Sequence, residues 1–368
     1  MTNHQDIITE DIKEIIDNID IRTFDKLKNK NILITGANGF LASYIVDTII
    51  YLNDNFDINC TMICPILSSL ERMEDSRLGH LIHRKDITFI QHDVINSMSS
   101  IINMHIDFII HAAGRSTPKY FVNDPIGTID VNVMALRWLL DLAVKDKTES
   151  FVYYSSAEVY GNPTDDNIPT AETCPGNTLT TEPRSCYSES KRCGEALCLA
   201  FYRKYLVPVK ILRPAIIYGP GLSIYDSKVI SEFIKSAILN DNIKMINNGE
   251  RIRNFCYISD ATTMFWKIFL SDKNGEIFNI GSYDNSISIR ELARAILKLC
   301  NKNPENIEIG SESKYNEPKP NYTDYSKSPY KVCLDMNKLY NTFGYKSKIS
   351  LEDGLRRTID WNRYSFLA

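Results

Sequence analysis

The sequence predicts an α/β fold: a doubly wound parallel sheet covered by helices on both faces, with a smaller α/β lobe interleaved with it. Three observations carry this. Short apolar runs alternate with helical periodicities from residue 31 to residue 213, and repeated strand-then-helix units imply parallel pairing, because each parallel strand needs a crossover that a helix fills. The first unit carries a glycine turn, Gly36-Ala37-Asn38-Gly39-Phe40-Leu41-Ala42, between its strand and its helix. Past Tyr218-Gly219-Pro220-Gly221 the rhythm changes to helices with short, separated strands, which marks the lobe.

At 368 residues the chain is long enough for a full core and a lobe beside it. We divide it into a helical extension over 1–30, a dinucleotide-binding unit over 31–215, and residues 216–368 as mainly the lobe. Hydrophobic content of 43% and charged content of 24% are those of a globular protein. The net charge of −4, 42 basic against 46 acidic residues, argues against a nucleic-acid or anionic-membrane surface. Nine cysteines are scattered without CxxC pairs or a histidine at zinc-ligand spacing, so no metal site is expected. Cys60, Cys64, Cys198 and Cys300 lie in apolar runs and read as buried thiols in a reducing compartment. With no basic leader and no apolar run of membrane-spanning length, a cytoplasmic location is expected.

Residues 6–19 place Ile7, Ile8, Ile12, Ile15, Ile16 and Ile19 on one helical stripe opposite Asp and Glu, a helix that packs on the body or on a second subunit. Residues 23–30 read as a basic linker. The strand Asn31–Thr35 then runs into the glycine turn, and a helical pattern continues through Ile45, Val46, Ile49 and Ile50. Gly36 permits the tight turn, Gly39 lets backbone approach a pyrophosphate, and the small Ala42 allows close helix–strand packing. Asn38, Phe40 and Leu41 complete the turn. These features define a Rossmann-type dinucleotide site.

The second strand, 59–65, ends without the acid that holds the ribose of NAD; Ser68 and Ser69 come next, then Glu71 and Arg72, which keeps NADP in view. The third, Ile87–Gln91, leads to Asp93 and Val94 beside the adenine. The fourth, 108–112, ends in His111-Ala112-Ala113-Gly114, where Ala112 and Ala113 let a strand end approach the cofactor. A long helix over 125–145 carries Asn132, an amide placed to hold backbone or a water near a lysine of a later helix. The fifth strand, 150–155, leads into Ser155-Ser156-Ala157-Glu158-Val159-Tyr160-Gly161. Residues 162–184 form a loop, and 207–213 the sixth strand. The stretch 316–329, rich in Pro, Asn, Ser and Tyr, reads as a surface loop.

Between loop and sixth strand lies Cys186-Tyr187-Ser188-Glu189-Ser190-Lys191 in a helical pattern. Positions i and i+4 share one helix face, so the Tyr187 phenol and the Lys191 ammonium meet at one place. A phenol with pKa ~10 is a weak base at neutral pH. A neighbouring ammonium and an oxidised nicotinamide favour the phenolate, which then takes a proton from a sugar hydroxyl as hydride leaves the same carbon.

Taken together, TGANGFLA at 35–42, HAAG at 111–114, SSAEVYG at 155–161 and YSESK at 187–191 resemble an extended short-chain dehydrogenase/reductase, and within it the NAD-dependent sugar-nucleotide epimerase, dehydratase and decarboxylase group. The resemblance extends over about residues 30–361 and includes Arg213-Pro214, Tyr218-Gly219-Pro220 and Arg253-Asn254-Phe255-Cys256-Tyr257-Ile258-Ser259-Asp260. It implies a retained NAD, a nucleotide-sugar substrate, a homodimer, Ser156, Tyr187 and Lys191 as the hydroxyl-activating set, and Arg253 on the nucleotide diphosphate. Tyr218 and Arg184 join Arg253 as expected substrate contacts. In the group an Asn often stands three residues before the glycine of the Tyr-Gly-Pro turn; here Ile216 stands there.

The group's shared first step is oxidation at sugar C4, and the neighbouring groups decide the fate of the resulting ketone. A 4,6-dehydratase carries an Asp-Glu pair after its Ser or Thr, an acid for the leaving C6 hydroxyl and a base for C5; this chain has Ala157-Glu158. A 4-epimerase needs neither. A decarboxylase loses CO2 from a β-keto acid and needs no acid at residue 157. Ser156-Ala157-Glu158 and Pro183-Arg184 before the helix are similar to UDP-glucuronate decarboxylases. The expectation is decarboxylation of a UDP-hexuronate, with Glu158 as a further catalytic residue. The alternatives are 4-epimerisation, 4,6-dehydration, NADPH-dependent reduction, or a non-catalytic redox sensor, which would have no need of Ser156, Tyr187 and Lys191.

Overall fold

The structure, a computed structural model, describes residues 4–367 apart from 75, 99–100, 118–120, 122, 227, 240–241 and 311–329. The segment 316–329 therefore lies outside the described residues.

Strands β1 (Asn31–Thr35), β2 (Thr61–Ile66), β3 (Ile87–Gln91), β4 (Phe108–His111), β5 (Ser150–Tyr154) and β6 (Val209–Pro214) fall within a residue or two of their sequence-predicted bounds. After β7 (Ile216–Tyr218), β8 (Ile243–Met245) and β9 (Ile252–Tyr257), strand β10 (Glu276–Ile280) returns to the main sheet. The order is β10-β6-β5-β4-β1-β2-β3, parallel throughout. The strand order reverses between β1 and β4, and the crevice at their carboxyl ends is where such a sheet holds ligands.

Both faces are buried, and the two-residue strand period sorts the side chains between them. Leu33, Ile63, Ile109, Phe151 and Ile211 face helices α4 (Pro125–Asp146) and α5 (Ser185–Tyr205). Ile32, Ile34, Met62, Ile110, Val152 and Leu212 lie in the core under α1 (His4–Asp17), α2 (Phe40–Phe56) and α7 (Ile258–Phe269). Helix α7 is buried nearly all round, with Phe265, Trp266 and Phe269 interlocked at ring separations of 5.0–5.8 Å. Residues beyond 216 thus supply both an edge strand and a covering helix to the main body. The short helices α3 (Leu70–Glu74) and α6 (Val229–Ile238) precede it, and α8 (Ile289–Leu299), α9 (Asn337–Phe343) and α10 (Leu351–Leu367) come after it.

The lobe has a second sheet, in which β9 pairs with β7, with β11 (Ser286–Ser288) and with β13 (Lys331–Val332). A third pairs β8 with β12 (Ile307–Ile309). Among the described residues no helix is long and apolar enough to cross a membrane.

Helix α1 packs on its own chain, against α2, α7 and α10, through Ile8, Ile12 and Ile15. Of the acids that stand opposite its apolar stripe, Asp11 is fully buried. Donors meet it there: Tyr44 Oη at 2.8 Å, Tyr257 Oη at 3.0 Å and Arg357 Nη1 at 2.8 Å. Residues 23–30 are not a linker. Most of the stretch lies in a 3₁₀ helix, Ile21–Leu27, that buries Phe24 and Leu27 completely, with Phe24 edge-on to Trp266. Two apolar residues outweigh its basic composition, and two of its three lysines find partners, Lys26 on the Leu270 carbonyl and Lys30 on Asp107 and Glu149.

Candidate active site

Gly36 ends β1 with φ +72°, a conformation that costs any side chain. A Cβ there would sit 2.7 Å from the Ala113 backbone nitrogen, so the turn after β1 and the end of β4 touch backbone to backbone. Gly39 donates to the Gly36 carbonyl at 2.8 Å and occupies the N-cap of α2, with no side chain to cap the helix. Asn38 and Gly39 are exposed and Phe40 and Leu41 half-buried, so the helix N-terminus presents backbone donors and its positive dipole end outward.

The register of these strand ends is fixed by a chain of bonds that sequence reasoning missed. Burial, with a smaller push from Lys191, lowers the His111 pKa to about 3, so the ring is neutral. With Nε2–H donated to the Val131 carbonyl at 3.1 Å, Nδ1 accepts from the Thr35 hydroxyl at 2.8 Å. Thr35 Oγ1 in turn accepts from Ala113 N–H at 3.3 Å. The HAAG pattern signalled the small residues; nothing in it signalled the bond to Thr35.

Asp93 is half-buried at the end of β3 and accepts from the Ile95 N–H at 3.1 Å. The Val94 side chain is in the core with Val131 and Ala135, and its carbonyl accepts from Trp138, which leaves backbone as its means of meeting a ligand. Where an acid is absent after β2, Ser68 and Ser69 are half-buried and Arg72 is exposed. Arg77, from the same connection, is ion-paired with Asp47 and lies over the Tyr44 ring at 4.7 Å.

Tyr187 and Lys191 lie on one face of α5, Tyr187 6% exposed and Lys191 3%. Burial raises the Tyr187 phenol to about 12; the nearby Ser156 hydroxyl works the other way. Burial lowers the Lys191 ammonium to about 7, partly offset by Glu195. Lys191 Nζ donates to the Tyr154 carbonyl at 2.6 Å and lies 4.9 Å from the Tyr153 ring and 5.9 Å from that of Tyr187. Phe121 stacks on Tyr187 at 5.6 Å and fixes its ring, a contact with no signal in the sequence. Asn132 is fully buried and donates to Ser190 Oγ at 2.9 Å, and that hydroxyl bonds the Tyr187 carbonyl. Asn132 Oδ1 has no hydrogen-bond partner among the described residues. It converges with Lys191 Nζ on Gly114, where an added Cβ would lie 3.8 and 3.5 Å from them. The glycine cradle and this pair of polar atoms at the end of β4 fit a bound dinucleotide.

Ser156 N-caps the 3₁₀ turn Ala157–Tyr160 and accepts from the Glu158 N–H at 3.2 Å. Glu158 projects from that turn to Arg184, the residue before α5; Oε2 accepts from Nη2 at 3.0 Å, and both side chains are about half exposed. Arg253 on β9 donates to the Ile252 carbonyl at 2.8 Å. Burial lowers its pKa to about 10, and the cations Arg251 and Arg184 add to that while Glu158 opposes it. Arg184 and Glu158 thus form an ion pair near Tyr187, and Arg253 feels both of its charges together with that of Arg251, a cationic surrounding of the kind that suits an anionic ligand. Tyr218 does not belong to this set. It has no exposed surface, packs edge-on to Phe255 and Tyr257, and donates to the Leu351 carbonyl at 3.3 Å. The Tyr-Gly-Pro motif marks a packed corner of the lobe.

Fold and site together define a dinucleotide-binding α/β protein in which Tyr187 and Lys191 lie buried on one helix face beside the crevice. The chain belongs to the NAD dependent epimerase/dehydratase family, whose model matches residues 32–281; NAD is that family's cofactor. It is 30% identical to UDP-glucuronic acid decarboxylase 1 of Arabidopsis thaliana over 332 residues, 90% of this chain and 69% of the relative. It is 26% identical to dTDP-D-glucose 4,6-dehydratase of Bos taurus, across 92% of this chain and 90% of that one. Among solved structures, UDP-glucose 4-epimerase of Thermotoga maritima superposes with a TM-score of 0.76 at 22% identity, covering 91% of this chain and 99% of that one, a likeness of fold.

Proposed function

We propose that this chain modifies a sugar nucleotide through transient oxidation at C4 and that its reaction is decarboxylation of a UDP-hexuronate such as UDP-glucuronate. The observation that carries the reading is the Arg184–Glu158 pair beside Ser156 and Tyr187, with Arg253 and Arg251 close by. NAD, when bound, supplies the hydride acceptor for C4; Gly36, Asn38, Gly39, Phe40, Leu41, Asp93, Val94, Ala112 and Ala113 would hold it with Tyr187 and Lys191.

Tyr187 removes the C4 hydroxyl proton, Ser156 holds that oxygen, and Lys191 offsets the charge on the phenolate. A ketone at C4 is β to a C6 carboxylate, so CO2 leaves with the C5–C6 electron pair entering an enolate, and a proton then returns to C5. Arg184 orients the C6 carboxylate and Glu158 manages the C5 proton. The guanidinium of Arg253 takes the diphosphate. Ala157 supplies no acid, and this route requires none.

Incubation with UDP-glucuronate without added cofactor should yield CO2 and a pentose nucleotide or its 4-keto form, read by mass spectrometry. An inert acid sugar together with C4 exchange in UDP-glucose would replace this reading with a 4-epimerase. Loss of water from a 6-hydroxy sugar would replace it with a dehydratase. Consumption of NADPH in proportion to product would mean a reductase. We also infer a homodimer, because α4 leaves three large apolar side chains, Ile126, Ile129 and Met134, exposed. Met134→Glu should then convert a dimer to a monomer in analytical ultracentrifugation.

A further inference from the structure

The Tyr187–Lys191 helix is tied to the strand beneath it at two consecutive residues. Lys191 grips the carbonyl of Tyr154, and one turn further along α5 the Glu195 carboxylate accepts from the hydroxyl of Ser155 at 2.6 Å. The next residue is Ser156, whose hydroxyl is close enough to the Tyr187 phenol to lower its pKa. Glu195 is 6% exposed and is held by Arg213 of β6 through two bonds, Nε at 2.8 Å and Nη2 at 2.6 Å. The Arg213 guanidinium also donates to the Glu172 carbonyl and lies 4.8 Å from the Tyr160 ring, whose hydroxyl donates to Asn279 Oδ1 of β10. A buried ion pair seldom adds net stability over an apolar replacement, so its presence under a reacting centre calls for another use.

We propose that Glu195 and Arg213 are the positioning pair of the active helix: they latch α5 to the end of β5 through Ser155, which keeps Ser156 beside Tyr187 and the Glu195 carboxylate one helical turn from Lys191. The groups facing Lys191 are Glu195 and Cys198 on its own helix, Tyr187, the Tyr153 ring of β5, and His111 of β4. Of these, Glu195 is the leading influence that favours the ammonium. The groups facing Glu195 are Arg213, Lys191, Tyr153, Tyr160 and Cys198. Neither residue of the pair touches substrate in this arrangement.

The inference rests on the proposed sugar-nucleotide chemistry only for its rate measurement. Three variants of the full chain separate the two effects: S155A, E195Q, and E195Q/R213M, which removes both buried charges and keeps the test open if E195Q alone does not fold. The Lys191 titration midpoint is read by NMR of lysine labelled at the ε carbon, assigned by comparison with K191M. E195Q should lower that midpoint by about one pH unit, because Glu195 favours the ammonium, and the double variant should lower it by less, since loss of the Arg213 charge works the other way; S155A should leave it in place. Single-turnover reduction of bound NAD by UDP-glucuronate, followed at 340 nm, should slow about tenfold in S155A at unchanged half-saturating substrate. An unmoved Lys191 midpoint in the Glu195 variants, or a wild-type rate in S155A, would overturn the proposal. If no sugar nucleotide reduces the wild-type chain, the proposed function fails, and the NMR midpoints still decide this inference.

Discussion

Arg184 and Glu158 neutralise each other across the entrance to the active helix, 3.0 Å from nitrogen to oxygen, while their exposed edges remain in water. A half-exposed pair of this kind is worth at most about 1 kcal/mol, so a carboxylate brought by a substrate can take the guanidinium from Glu158 at little cost. On the proposed hexuronate reading the pair is a partner exchange, in which Arg184 would turn to C6 and release Glu158 close to C5.

Arg184→Ala should therefore raise KM for UDP-glucuronate at least tenfold and leave the affinity for UDP itself within about twofold. Glu158→Gln should do the opposite to binding, lowering KM because the arginine is already free, while kcat falls about 10²-fold. Steady-state kinetics with UDP as competitive inhibitor measure both. Equal losses for UDP and UDP-glucuronate in Arg184→Ala would make Arg184 a residue of the nucleotide site or of the surface.

A second expectation concerns the N-terminal helix. Burial raises the Asp11 carboxyl to about 6, against bonds from Tyr44, Arg357 and Tyr257 that lower it; Glu14 shares Arg357. Because the folded value lies above the unfolded one of about 3.9, the folded state binds the extra proton. That contribution is complete below about pH 4 and is lost as pH rises through 6, amounting to about 3 kcal/mol. Asp11→Asn cannot ionise. The stability of wild type relative to this variant should fall by about that amount between pH 4 and pH 8 in urea titrations. Parallel curves for the two proteins would show that Asp11 stays charged throughout.

What the sequence made legible were features whose physics is local. The β1 strand, the Gly36 turn and the Tyr187–Lys191 spacing are each set by neighbours within a few residues, and the structure puts them together at the crevice where strand order reverses. Hidden features depend on partners far along the chain. Asp11 is buried because Tyr257 and Arg357 reach it from 246 and 346 residues away. Tyr218 sits in a motif yet is consumed by packing, since only tertiary contact tells a packed aromatic corner from a ligand contact. Phe121 and the Thr35–His111 bond carry no periodicity at all. The basic composition of residues 23–30 misled because two buried side chains, Phe24 and Leu27, decide their path.

Tyr187→Phe keeps the ring stacked on Phe121 and removes only the hydroxyl. Turnover should fall 10²-fold or more, the scale of a positioned acid–base group, while NAD remains bound. Chromatography of the nucleotide released by denaturation, set beside the product assay, separates the two effects. Near-normal turnover would remove Tyr187 from the mechanism.

The last expectation tests the cradle. Gly36 adopts φ +72°, and an added Cβ would lie 2.7 Å from the Ala113 nitrogen and 2.8 Å from its Cα. The conformation alone costs a side chain about 1–2 kcal/mol, and the contact is with backbone that Thr35 and His111 pin in place. Gly36→Ala must therefore open the gap between the β1 turn and the end of β4, the two edges that would flank the dinucleotide. Loss of bound NAD should exceed loss of fold: the purified variant should carry less than about a tenth of the wild-type nucleotide, since 1.4 kcal/mol is a factor of ten in binding. Its far-UV circular dichroism should stay unchanged. Gly39→Ala separates the two causes within the same turn: its Cβ would approach only the Gly36 carbonyl oxygen, at 3.0 Å, and Gly39 has an ordinary φ of −77°, so nucleotide lost there reports the approach of the pyrophosphate and not the fit of the turn. If Gly36→Ala retains a full complement of NAD, the turn tolerates the side chain and the close approach to Ala113 does not shape the cofactor site.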